Sequence, residues 1–502
     1  MRTLTLLLLT TLCVSHSFAQ HSILIKNISI IDVEKGITRP NASVLIRDSM
    51  IEKIFYPAAA ASTRPAAPST PSASPSSTQP PAAAPSAHSA RSAQSARLPS
   101  ADTVIDGTGR YLIPGLWDMH THVWSDMFIF PLLIANGVTG IRGMFEDVNA
   151  SNGWKEKMAA GKLDGPDMRL AGPIVDGPNP VWPGSVAVKN AAEGRRAVDS
   201  LKNILHTDFI KVYSLLSRES YFAIAGEAQK QHIPFAGHVP NVVTVLEAAK
   251  AGQKSQEHLY GFVEAASDSA DYLMQLAQGL KTDSTLKNTL VKKQFLLRTY
   301  NPRKLQQLLQ ELKQYDTWIC PTLTVLHAIG VMEDTTQLSD PRMQYMSVFT
   351  RNMWDPTKDF RFKTWTPETF AAFRQEFVIK MQIVKAMQDA GIGLLAGTDF
   401  PNPYCYPGFG LHEELQWMVK AGLTPAQALR TATINPARYF DIERHTGSVA
   451  EGRLASLVIL DADPLVDISN TEKINTVILR GKVFNNTALQ DMLTKVKKLT
   501  GH

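Results

Sequence analysis

Two histidines one residue apart, His120 and His122, stand in the segment Asp118-Met119-His120-Thr121-His122, directly after the apolar run YLIPGLW. On a strand, residues two apart project to the same face, so both imidazoles would point together and chelate a metal ion from one strand. A His-x-His pair is common by chance, and the reading needs partners. Candidates close later β-type runs, in chain order: Lys211 in DFIKVY, His238 in PFAGHV, His258 in SQEHLY and Asp399 in LLAGTDF.

Each of these has a plainer alternative. Lys211 sits in an apolar run where a bare ammonium is costly to bury; either something compensates it or its stem carries the charge out to solvent. Compensation can come from carbon dioxide, which adds to the neutral amine to give a carbamate whose oxygens bridge two divalent cations. His238 and His258 can be hydrogen-bonded histidines near helix starts, and Asp399 can cap the turn after its strand. Together, four His, one Lys and one Asp, each closing a β run, make a ligand set for two borderline metal ions such as zinc.

These residues need a scaffold that brings strand ends together. From Trp117 onward short β-rich runs alternate with amphipathic stretches: VTGIRGM, a helix near 193–205, DFIKVY, a helix near 219–231, then PFAGHV. The alternation predicts parallel strands with crossover helices, in a barrel that places its chemistry at the strand ends. LHEELQWMVKAG and PAQALRTATINPARYF read as the last clear helices, by their three- and four-residue apolar spacing. The N-terminal runs ILIKNISIIDV and ASVLIRDSMIEKIFY resemble the C-terminal ASLVILDAD and INTVILRGKVF in kind, so both chain ends are expected to complete one β module beside the barrel. Residues 57–100 collapse to Ala, Pro and Ser, which cannot offset ordering entropy by burial. They are expected to be a disordered insertion within that module.

The 502 residues, 44% hydrophobic and 19% charged, describe a soluble globular protein of one or two domains. A net charge of +5, with no dense Lys/Arg run among aromatics, argues against nucleic acid as a partner. The chain opens with Met-Arg, an apolar run over 4–14 and Ser17-Phe18-Ala19 before Gln20, the layout of a secretory signal cleaved after Ala19. That run is shorter than the roughly 20 apolar residues of a spanning helix, so export without stable membrane insertion is expected. Cys320 and Cys405 are too few for a disulfide framework and are read as free.

In order and context these motifs resemble the amidohydrolase superfamily, and within it the imidazolonepropionase-like and Xaa-Pro dipeptidase-like members. PGLWDMHTH looks like the strand-one signature, DFIKVY the carboxylated-lysine strand, GHVP and QEHL the single-histidine strands, and AGTDF the segment of the catalytic aspartate. AGLTPAQALRTATINPARYF and GSVAEGRLASLVILDADPL are similar to the closing helix and the return to the β-sandwich; Ser456 stands where an Asp is usual. The resemblance implies an α/β fold: a TIM-type (β/α)8 barrel over 116–440 with a small β-sandwich domain built from 20–115 and 441–490.

By the same resemblance, His120, His122 and Asp399 bind the more buried of two metal ions, with zinc expected, and His238 and His258 the more exposed one, with carboxylated Lys211 between them. A hydroxide held by two cations stays nucleophilic at neutral pH and attacks the substrate carbonyl; Asp399 takes its proton and passes it to the leaving nitrogen. The implied reaction is hydrolysis of an amide or cyclic amide in a small peptide or N-acyl amino acid. A lactone, ester or phosphotriester hydrolase on the same centre, and a non-catalytic binding protein on the same barrel, are the alternatives. For substrate contacts, Arg142 in GVTGIRGM is a candidate partner for a carboxylate, with a structural role at a strand end as its alternative. Tyr213 shares the face of Lys211. Trp182, Tyr404, Cys405 and Tyr406 are either pocket-lining or ordinary packing, and the stretches 268–315 and 341–374 are candidate lids. Nothing in the sequence assigns an oligomeric state.

Overall fold

The computed structural model describes residues 21–57, 98–355 and 357–501. The expected signal segment and all but the edges of the Ala/Pro/Ser insertion lie outside the described residues.

Strands from both ends of the chain pair into one eight-stranded sheet. The N-terminal part supplies Ser22–Asp32, Ile37–Arg47, Met50–Phe55, Thr103–Asp106 and Tyr111–Pro114; the C-terminal part supplies Leu457–Leu460, Ile474–Leu479 and Lys482–Asn485. The two parts meet where Tyr111–Pro114 runs antiparallel to Leu457–Leu460, with Ile113 opposite Val458. Strand alternation lets this junction serve two cores at once. Leu112, Leu457 and Ile459 join Ile23, Ile25, Val44 and Ile46 in a core of the sheet's own, whereas Ile113, Val458 and Leu460 turn into the main core. An unbroken apolar run such as LVIL is what a strand buried on both faces requires.

The second unit is parallel. Leu116–Thr121 pairs with Val138–Gly143, and that strand with Asp167–Leu170. Ile210–Val212, Phe235–Gly237, Ser255–Glu257 and Trp318–Cys320 pair in that order. Parallel bridges carry the series on from Ile319 to Leu394 and from Phe400 back to Thr121. Between the two sheets the Asp208 N–H donates to the Leu170 carbonyl at 2.9 Å. Helices lie between successive strands, among them Asp126–Ala135, Val148–Ala159, Arg218–Lys230 and Val245–Lys250. The helix expected near 193–205 is Ala191–Asp199, prolonged by a π-helical turn over Ser200–Ile204. PAQALRTATINPARYF, read as one helix, is two, Pro425–Thr431 and Ile434–Tyr439. A continuous helix would need an N–H from Pro436 to the Ala432 carbonyl, and proline has none.

Close approach fixes one glycine in this scaffold. A Cβ at Gly140 would stand 2.1 Å from Cε2 of the buried Trp117 ring, whereas one at Gly153, inside Val148–Ala159, would meet nothing within 4 Å. Gly140→Ala is therefore expected to cost about 1–3 kcal/mol by overpacking, and Gly153→Ala to stabilise by about 0.5–1 kcal/mol through helix propensity. Urea denaturation of both variants reads the two signs, and equal effects would contradict this account.

Candidate metal centre

The strand Leu116–Thr121 is buried along its whole length, and its polar residues are anchored on both sides. Asp118, fully buried, accepts from the Thr398 N–H at 3.0 Å, the Thr398 hydroxyl at 2.6 Å and the His120 N–H at 3.2 Å. It thereby fastens the first strand to the run that carries Asp399. Burial pushes its carboxyl up to about 7 despite those hydrogen bonds.

His120 is held from behind. Its Nδ1 lies 2.8 Å from Glu257 Oε2, and Glu257 also receives Arg142 Nη2 at 2.9 Å on both oxygens and the Ser255 hydroxyl at 2.6 Å. A carboxylate so placed puts the imidazole proton on Nδ1 and leaves Nε2 as a lone pair. That nitrogen faces Asp399 Oδ1 at 3.4 Å and Lys211 Nζ at 3.4 Å. Burial, with the Lys211 charge beside it, keeps His120 well below the usual histidine range.

Lys211 is 1% exposed, so the reading in which it reaches solvent does not hold. Burial lowers its amine to about 8 against the pull of Glu257 and Asp399. Its neighbours Ile210 and Val212 point away into the main core. The next strand makes room for the lysine with Gly237, φ +130°, where a Cβ would come 2.9 Å from Lys211 Cδ and 2.2 Å from the Val212 carbonyl.

His238 and His258 follow their strands directly. Each spends Nδ1 on a fixed hydroxyl, Ser214 Oγ at 2.8 Å and Thr322 Oγ1 at 2.7 Å respectively. Burial holds both rings well below the ordinary histidine value. Asp399 approaches His122 Nε2 at 3.0 Å through Oδ1 and His258 Nδ1 at 3.8 Å through Oδ2. Burial acts to raise its carboxyl, but His258, His122 and Lys211 more than offset this and leave it below the usual carboxylate range. His258 and Asp399 both adopt left-handed backbone, φ +62° and +63°, a strain that clusters at functional sites.

Of the six expected ligands, Asp399 meets His120, His122 and His258, Lys211 meets His120, and His238 comes in through its ring beside His258. Ring centroids run His122, His120, His258, His238 at spacings of 5.4, 4.5 and 4.8 Å, and ligand atoms of His120, His258 and Asp399 all lie within 4.8 Å of one another. The donor set fits a borderline divalent cation: Nε2 of His120 and Nε2 of His122 both face Asp399 Oδ1, Nδ1 of His120, His238 and His258 is engaged by a neighbouring oxygen, and Nδ1 of His122 is buried with no partner among the described residues. His120, Glu257 and Cys320 also come close, but Glu257 is occupied by Arg142 and Ser255. Cys320 and Cys405 are free and buried.

The substrate contact expected of Arg142 is corrected. Arg142 is fully buried, and its five N–H groups are all engaged: Nε on the Met119 carbonyl at 2.6 Å, Nη1 on Ser255 Oγ at 2.6 Å and Tyr439 OH at 3.0 Å, and Nη2 on Glu257. It holds the carboxylate that holds His120. Tyr213 does reach the centre, stacked on His238 at 3.9 Å, and Trp182 Nε1 donates to its hydroxyl at 2.8 Å. Tyr404, Cys405 and Tyr406 are buried, the two tyrosines packed on Trp354. Sequence reasoning missed Glu257, Asp118, Thr322 and Ser214. Asp118 was within its reach, since it lies two residues along a strand from His120.

Residues 378–484 match the Amidohydrolase family. Over 104 residues the chain is 38% identical to the imidazolonepropionase of Treponema denticola, 20% of this chain and 25% of that one. The sequence match thus spans about a quarter of that relative's length. Likeness in structure is far more extensive. The bottromycin amidohydrolase AH superposes with a TM-score of 0.67 at 20% identity over 96% of this chain and 91% of that one. A Bifidobacterium longum protein described as a prolidase gives 0.62 at 19% over 95% and 99%.

The segment 378–484, which carries Asp399, is thus similar to the amidohydrolase family, and the fold as a whole is similar to that of an amidohydrolase and a prolidase.

In this scaffold Arg142 has a structural duty, which can be tested. Arg142→Met leaves Glu257 buried without its counter-charge and is expected to cost about 3–5 kcal/mol of stability in urea denaturation. An unchanged stability with a raised KM would instead restore Arg142 as a substrate contact.

Proposed function

We propose that the protein is an exported, binuclear metal-dependent hydrolase that cleaves the C–N bond of an amide or cyclic amide, in a small peptide or N-acyl amino acid. The observation that carries this reading is the convergence of Asp399 with His122 at 3.0 Å and His120 at 3.4 Å, while Lys211 stands 3.4 Å from the same His120 nitrogen. Support comes from the family match over the segment that includes Asp399 and from fold neighbours described as an amidohydrolase and a prolidase. The fold on this reading is a closed eight-stranded barrel over 116–440, with 20–115 and 441–490 forming the β-sandwich domain.

His120, His122, Asp399, His238, His258 and Lys211 would hold two divalent cations, zinc in the first instance. When bound, these supply the Lewis acidity that makes water nucleophilic at neutral pH and polarises a carbonyl. An amine with a pKa of about 8 is roughly one-tenth neutral at pH 7. The neutral Lys211 Nζ adds to carbon dioxide, forming an N–C bond and releasing a proton, so that a buried cation becomes an anionic ligand. Asp399, kept ionised by the histidines around it, is the base that takes a proton from the attacking water and returns it to the departing nitrogen. Glu257 keeps the His120 proton on Nδ1 throughout. Tyr213, stacked on His238, closes one wall of the cleft.

Asp399→Asn is expected to lower kcat about 10²–10⁴-fold, and Lys211→Ala to reduce both activity and bound metal from about two ions per chain. Metal analysis and assays on dipeptides, N-acyl amino acids, lactones and a phosphotriester check this. Full turnover by either variant would rule out the mechanism, and turnover confined to lactones and phosphotriester would rule out the amide bond.

Export has its own test. Edman sequencing of the mature protein from an extracytoplasmic fraction is expected to begin at Gln20. Retention of an intact Met1 end in the cytoplasm would overturn it.

A further inference from the structure

With Arg142 used up in the interior, a different arginine stands at the mouth of the centre. Arg361 lies in the stretch between helix Val348–Met353 and the long helix Pro367–Ala390, one of the two stretches the sequence marked as lids. Its side chain is 26% exposed, against none for Arg142. Asp359 grips it on one edge, receiving Nε at 3.0 and 3.1 Å and Nη2 at 2.6 Å. Nη1 donates to Asn402 Oδ1 at 2.8 Å. Three of its five N–H groups are thus engaged, and one on each terminal nitrogen has no partner among the described residues.

The placement of this guanidinium joins the two sides of the cleft. On one side Asn402 is bound to the Asp399 carbonyl through its own N–H at 3.1 Å and its Nδ2 at 2.8 Å, so Arg361 is one residue removed from the catalytic-aspartate loop. On the other side it lies over the Trp182 ring at 5.5 Å; Trp182 donates to Tyr213, and Tyr213 stacks on His238. The charge of Asp399 is felt at Arg361, in keeping with a position above the centre. Phe360, 56% exposed and 5.9 Å from Trp182, adds an apolar wall beside it.

The geometry points to Arg361 as the group that binds a free carboxylate on the leaving-amine side of the substrate. This rests on the amide-hydrolase reading above. In a dipeptide or N-acyl amino acid the carboxylate stands one carbon beyond the scissile nitrogen, so a carbonyl at the histidine–Asp399 centre directs it outward, to the mouth. An arginine held edge-on by Asp359 is already oriented, and its two unengaged N–H groups lie on separate nitrogens, the arrangement that accepts both carboxylate oxygens. Apolar side chains of the same substrate would rest against Trp182 and Phe360.

The experiment compares N-acetyl-L-leucine with N-acetyl-L-leucinamide on the metal-loaded full-length protein, wild type, Arg361→Gln and Arg361→Lys, by calorimetric binding and by hydrolysis. Wild type is expected to favour the free acid, and Arg361→Gln to reduce that preference about 10- to 100-fold, the value of a hydrogen bond to a charged group, through KM and Kd more than kcat. Arg361→Lys, which keeps the charge and the Asp359 pair but not the fork, should retain part of the preference and guards against a folding defect in the Gln variant. An acid-to-amide ratio equal in all three proteins overturns the inference, whether or not hydrolysis occurs. Binding preference that tracks Arg361 without hydrolysis of either compound upholds the carboxylate site and sinks the amide-hydrolase reading instead.

Discussion

A buried carboxylate with no access to water must be neutralised where it stands, and in this molecule Glu257 is neutralised by an arginine that is equally inaccessible. The desolvation of two such ions costs several kcal/mol each, and the mutual attraction offsets it only when the remaining N–H and oxygen positions are filled. Here they are filled by four residues from three separate places in the chain: Met119 and His120, Ser255, and Tyr439. The first strand, the second, the Ser255–Glu257 strand and the helix Ile434–Tyr439 must all arrive in register for the pair to be satisfied. The network therefore ties elements hundreds of residues apart to one geometry, and its output is a single fact, the direction of the His120 ring.

The same device recurs around the centre in weaker form. Ser214 fixes His238 and Thr322 fixes His258. Thr322 is itself in left-handed backbone, φ +48°, and the residues after it are pinned by Glu414, which accepts the Leu323 and Thr324 N–H groups at 3.0 and 2.7 Å. Each ring is thus oriented by an oxygen that the main chain or a buried acid holds in place, so the nitrogens left over are directed by the fold and do not depend on side-chain freedom.

Much of this was legible in the residues, and the part that was not has physical reasons. The six converging side chains could be named because each ends a β run, and parallel strands bring their C-terminal ends together whatever their separation in sequence. The α/β alternation and the shared sheet of both chain ends were visible as periodicity. The helix break at Thr433 was hidden because apolar spacing continues through it, and only the missing N–H of Pro436 stops the helix. Arg142 was misread because a lone charged residue near a strand end carries no sign of which way it points; its partner Glu257 lies 115 residues away and becomes visible only once both strands are paired. Trp182 to Tyr213 was equally invisible, since a loop aromatic has no period to betray its contact.

Charge balance connects these parts. With neutral imidazoles, Arg142 and Lys211 offset Glu257 and Asp399, and the interior is close to electroneutral. On the proposed reading, conversion of Lys211 to a carbamate turns one positive charge into one negative, which a site excluded from water cannot carry alone. Divalent cations would supply the missing charge, and their affinity would in turn depend on the carbamate, so the two stabilise each other by linkage. Glu257 stays outside this exchange because Arg142 has already satisfied it. A buried arginine that cannot lose its proton thus keeps one carboxylate of the site fixed in charge and position, while burial has brought the lysine amine down to about 8 and so within reach of its neutral state.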